Sequence, residues 1–167
     1  MSEPTNVSSS ARPSGPGPEH ELLKSDVGTW DASIEINLAP GSPAQVSRGV
    51  TRNRLGCGGL WLITDFLNET TGFEGHAICG YDPAKGKYVG TWVDPMRNFL
   101  TVSEGTYDPA SRTMTMWFET SGPQGKPMRW REVTERKDED TRVWRSIMNG
   151  PDGREFEVMK AVYTRRK

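Results

Sequence analysis

The chain is poor in the residues that carry metal and redox chemistry: 167 residues hold two cysteines, Cys57 and Cys79, and two histidines, His20 and His76. Two cysteines exclude a disulfide scaffold and a Cys-rich zinc site. An excess of charge is missing too. Lys and Arg number 21 against 22 Asp and Glu, for a net charge of −1, which leaves no electrostatic case for a nucleic-acid partner. No apolar run approaches the ~18 residues of a membrane helix, so no membrane partner is expected. The first eighteen residues lack the apolar stretch of a signal peptide. The expected location is therefore cytoplasmic, with both cysteines reduced and packed as small core residues. No Gly-rich phosphate loop follows a strand, and no Gly-x-Ser-x-Gly elbow is present. No motif names a reaction.

What the chain does have is turn chemistry and indole: 18 Gly, 12 Pro and 6 Trp. Residues 1–18 are rich in Pro and Ser without an aromatic residue, which predicts a disordered tail. Residues 19–167 fit one domain with a real core. A short helix is expected over Glu19–Asp26, ended by Gly28. From Thr29 the period becomes two: Trp30, Ala32, Ile34 and Ile36 alternate with Asp31, Ser33, Glu35 and Asn37, as in a half-buried strand. About nine more such segments follow at short spacing, parted by turns such as Tyr81–Ala84 and Tyr107–Ala110, which repeat Tyr-Asp-Pro-Ala. There is no room for crossover helices. The pattern predicts an all-β, antiparallel, up-and-down barrel of about ten strands, with the helix capping one end. Closure removes the exposed edges. A barrel of this size either fills with large side chains or keeps a cavity for one small ligand. The six Trp fall on six different predicted strands, so together they could ring one lumen.

Several segments resemble one family in order: Pro18-Glu19-His20, Gly28-Thr29-Trp30-Asp31, Phe73-Glu74-Gly75, Gly80-Tyr81-Asp82 and Trp92-Val93-Asp94, then Ser103 to Asp108, Arg131-Glu132-Val133-Thr134, Gly150 to Gly153 and Tyr163-Thr164-Arg165. Over about residues 16–167 the chain resembles the bacterial domain-of-unknown-function family 1579, a lipocalin-like group. The resemblance implies a barrel and no established activity. The chain carries Arg145 and Lys160 where acidic residues are usual in that family. If both face the lumen, the pocket is more basic than in relatives and suits an anionic ligand. Haem in small ten-stranded barrels of this kind needs an axial histidine. None lies in the last three predicted strands, and no cofactor is expected.

Candidate site residues follow from the strand faces, although alternation does not say which face is inside. Trp92 and Asp94 share a face and could form an aromatic wall with one polar group, or a core indole beside a turn carboxylate. Tyr81 would join them. Glu104 and Arg131 could meet as a buried ion pair in the lumen; if Trp130 faces inward instead, Arg131 faces water. His76, two residues after Glu74 on one face, could act as a base or lie on the outer wall. Three functions are compatible with these residues. One is binding of a small apolar or amphipathic molecule by Trp92, Asp94, Tyr81, Glu104 and Arg131. Another is an enzyme using the same cavity with Asp94 or His76 as general base. The last is a filled barrel whose outer face forms a homodimer.

Overall fold

The computed structural model describes residues 15–37, 41–122, 125–149 and 153–167. The expected disordered tail thus lies almost wholly outside the described residues. Pro18, its last member, is instead the first residue of a seven-residue helix, α1 (Pro18–Lys24). Ten strands follow: β1 (Gly28–Ile36), β2 (Gln45–Gly56), β3 (Trp61–Asn68), β4 (Glu74–Asp82), β5 (Lys87–Val93), β6 (Thr101–Asp108), β7 (Thr113–Ser121), β8 (Pro127–Arg136), β9 (Thr141–Asn149) and β10 (Glu155–Arg165). Each pairs antiparallel with its sequence neighbours, and β10 returns to pair with β1, closing the barrel. No helix among the described residues is long and apolar enough to cross a membrane.

The chemistry of the segments accounts for this path. In both Tyr-Asp-Pro-Ala turns the aspartate caps the hairpin: Asp82 Oδ1 accepts from the Ala84 amide at 2.9 Å, and Asp108 Oδ1 from the Ala110 amide at 3.0 Å. Asp and Pro favour this conformation locally. Gly28 has φ +122° where the chain leaves α1 for β1, a conformation that side chains rarely adopt.

The register fixes the two faces. Trp30, Ala32 and Ile34 are each at most 4% exposed, so the even-numbered residues of β1 point inward, and their cross-strand partners follow. Of the six indoles, Trp30, Trp92, Trp130 and Trp144 face the lumen. Trp61 and Trp117 are on the outer wall, opposite Gly80 and Glu104. The expected ring of six is therefore four. Cys79 is inside, where burial pushes its thiol up to about 12. Cys57 is exposed on a 3-10 turn and is not a core residue.

The helix closes one end. Leu23 packs with Leu62 and Tyr88, and the Tyr88 hydroxyl donates to the Glu19 carbonyl at 2.9 Å. Just after α1, Asp26 is gripped by two arginines from the far end of the chain. Arg136 Nη2 donates to Oδ2 at 2.6 Å, and Arg142 Nη1 makes a 2.6 Å ion contact with Oδ1. The Arg142 guanidinium also lies over the rings of Trp30 (4.4 Å) and Tyr163 (4.9 Å).

Candidate functional site

The lumen is walled by indoles seated over small residues. Trp92 lies across Gly75, where a Cβ atom would come within 2.1 Å of the ring. Phe66 stands 6.3 Å away, centroid to centroid. On the facing wall Phe118 and Trp130 stack at 5.9 Å with their planes 2° apart. Ala32, Ile34 and Ala161 pack with Phe66, Trp144, Met159 and Tyr163.

Each inner indole N–H is already engaged. Trp30 donates to the Asp26 carbonyl at 2.9 Å, Trp92 to Asp94 Oδ2 at 2.8 Å, and Trp130 to Thr120 Oγ1 at 2.8 Å. Trp144 hydrogen-bonds the carboxylate of Glu132. Glu132 is the inward residue between Trp130 and Thr134, opposite Met116 on β7 and Ser146 on β9. Burial pushes its carboxyl up to about 7; the Trp144 bond and the charge of Arg97 pull the other way. Among the described residues four buried oxygens have no hydrogen-bond partner: Asp26 Oδ1, which Arg142 meets as an ion contact, and the inward Thr51 Oγ1, Asn53 Oδ1 and Thr101 Oγ1. Buried polar groups are ordinarily paired, and each of these oxygens can accept a hydrogen bond.

The proposed site residues divide between the faces. Trp92 and Asp94 are brought together, and the Asp94 side chain is only 5% exposed. Its carboxylate also accepts from the Met96 amide at 2.9 Å. Tyr81 is on the inner face but four residues along β4 from the Ala77–Trp92 pair, about 13 Å away at strand spacing. It belongs to the helix end, 5.2 Å from the Tyr88 ring, bordering an open cleft of about 540 Å³ with Leu22 and Tyr107.

Glu104 and Arg131 are not in the lumen. Glu104 pairs with Val89 and Trp117 on the outer wall and binds Lys87 at 2.6 Å and Lys85 at 3.3 Å. Arg131 stands opposite Trp117 and reaches Glu155 at 2.7 Å. The reason is desolvation: Trp130 takes the inner position of β8, and an unpaired guanidinium inside would cost more than an indole. Arg145 and Lys160 are likewise outside, Arg145 near Glu157 (3.3 Å) and Glu135 (3.8 Å), Lys160 near Glu35 (3.9 Å). The basic pocket expected from them is not formed. His76 is also on the outer face, where Nδ1 lies 2.8 Å from Asp65 Oδ1. The register removes it from the cavity that the enzyme reading would use. Glu74 shares that outer face.

Glu132 was legible in principle. In Met128-Arg129-Trp130-Arg131-Glu132 it continues the stripe of Met128 and Trp130, so an inward Trp130 carries an acid in with it.

Comparison with known proteins adds the family. A family model described as a protein of unknown function (DUF1579) matches residues 15–165. The chain belongs to this family. DUF1579 carries no assigned activity in its description, and no curated protein matches the chain. Among solved structures, the crystal structure of Rv2717c from M. tuberculosis is similar, with a TM-score of 0.65 at 14% identity, covering 90% of this chain and 99% of that one. At that identity the likeness concerns the fold alone. This DUF1579 chain therefore has its barrel supported twice, and its chemistry rests on the lumen residues above.

Proposed function

We propose that this protein binds a small, largely apolar molecule in the barrel lumen, between the Trp92–Phe66 wall and the Phe118–Trp130 stack. The observation that carries the reading is the set of unpartnered inward oxygens, Thr51, Asn53 and Thr101, in an interior that holds four indoles. Ligand sites combine such apolar walls with a few convergent polar groups. Asp94 serves here by holding the Trp92 indole flat, its carboxylate being occupied by Trp92 and Met96.

Native mass spectrometry of the protein as isolated tests this, with a denatured extract for comparison. The expected result is an adduct that is released on unfolding and lost or weakened in Trp92→Ala. An adduct retained unchanged in Trp92→Ala would remove Trp92 from the site.

A second reading has its own observation. On the outer wall Ile78, Thr91 and Val102 sit side by side across β4, β5 and β6, with Ile78 45% and Val102 62% exposed. Met96, Phe99 and Leu100 extend this apolar exposure beyond the strand ends. Exposed apolar patches of this kind mark contact surfaces, and a second copy would cover it isologously. Light scattering on the eluting protein should give twice the chain mass, and Val102→Lys should return it to one. A monomer at every concentration would end this reading.

A further inference from the structure

Which ligand chemistry the lumen suits follows from what its polar groups have left to offer. Every inner indole N–H is spent on a partner within the chain. The inward guanidinium groups of Arg136 and Arg142 are ion-paired with Asp26 at the closed end. The open groups include acceptors, the Glu132 carboxylate beyond its one bond from Trp144 and the Asn53 carbonyl oxygen, and the Thr51 and Thr101 hydroxyls, which can do either. The lumen therefore holds a carboxylate with bonding capacity left, in an interior whose indole faces attract cations. We propose that the lumen is a site for an amphipathic amine, an apolar body bearing one protonated nitrogen, with the Glu132 carboxylate as its counter-ion. This deepens the lumen-binding reading and rests on it.

The cross-strand neighbours of Glu132 are neutral, and the two arginines that act nearby each face an aspartate. Met116 on β7 and Ser146 on β9 are uncharged. Tyr163 on β10 feels the Glu132 charge, and burial keeps its hydroxyl protonated. Arg142 stands over Tyr163 but is paired with Asp26. Arg97 acts from the loop after β5, with its Nε 4.0 Å from Asp94. Desolvation by itself favours the protonated acid, and an ammonium beside it favours the carboxylate. Because the Glu132 proton leaves as pH passes about 7 while an alkylamine stays protonated to about pH 10, amine binding strengthens as pH rises.

Calorimetry on the full chain with an amine, an alcohol and a carboxylate on one apolar body tests this, using benzylamine, benzyl alcohol and benzoate and their naphthyl counterparts. At about pH 8 the amine should bind about tenfold tighter than the alcohol, as a charge-assisted hydrogen bond provides. In Glu132→Gln that preference should collapse to about threefold or less, with alcohol affinity little changed. Should the Gln variant fail to fold, the wild-type pH profile decides. The amine-to-alcohol ratio must rise between about pH 5.5 and about pH 8.5, and a flat profile overturns the assignment. A carboxylate that matches the amine, or a Gln variant that keeps the tenfold preference, overturns it while leaving lumen binding intact. Binding by none of the probes also overturns it; if the isolated protein still carries a Trp92-dependent adduct, the broader reading stands alone, and without one both fall.

Discussion

Trp92 occupies its place because residue 75 has no side chain. The closeness of the ring to Gly75, 2.1 Å to a hypothetical Cβ, makes Gly75→Ala a one-atom test of the wall. The added methyl must tilt the indole away from Asp94, at a cost of about 1–3 kcal/mol for overpacking. Thermal unfolding should show the loss, and tryptophan fluorescence should report the moved ring; an unchanged melting temperature would mean that the wall yields freely. At this scale the sequence was only half readable. Alternation paired Trp92 with Asp94, and it paired Arg129 with Arg131 against Trp130 with Glu132. Which member faced inward depended on desolvation across the whole barrel, a quantity no local window contains. The outward positions of Glu104 and Arg131 and the inward one of Glu132 depend on that quantity.

The strands were readable because strand periodicity and the Asp-Pro turns are local. The turns at Asp82 and Asp108 are each held by a bond that spans two residues. The closure at Asp26 is the opposite case. Its partners Arg136 and Arg142 are more than a hundred residues away in sequence, and nothing near Asp26 announces them. With both guanidinium groups nearly buried, 12% and 10% exposed, Asp26→Asn should cost on the order of 3 kcal/mol, because it leaves two buried cations without their counter-charge. Urea unfolding is the appropriate measurement. Trp30 and Asn53 bond the Asp26 carbonyl rather than its carboxylate, so those contacts survive the change. A shift below about 0.5 kcal/mol would show that the pair acts as an exposed one.

For the molecule as a whole, the titrations act in opposite directions. Asp31, Glu104, Asp108 and Glu135 are held below the usual carboxylate range, chiefly by hydrogen bonds from Arg166, Lys87, Ser111 and Lys137 respectively. Their contribution is present above the ordinary carboxylate pKa and is lost as pH falls through their lowered values. Glu132 is raised to about 7. Its contribution is complete below the ordinary glutamate pKa and is lost as pH climbs toward 7. The unliganded protein should therefore be most stable in mildly acid solution and lose on the order of 2–3 kcal/mol by neutral pH. Urea midpoints across that window check this, and Glu132→Gln should flatten the decline. The pairing of β1 with β10 has a different kind of consequence, one that belongs to synthesis. The strand that emerges first from the ribosome must wait for the strand that emerges last, since Trp30 pairs with Arg165 and Ile36 with Met159. Contacts of such long range are slow to form. Until β10 pairs with β1 the barrel cannot close, and its inner face stays unshielded along that seam.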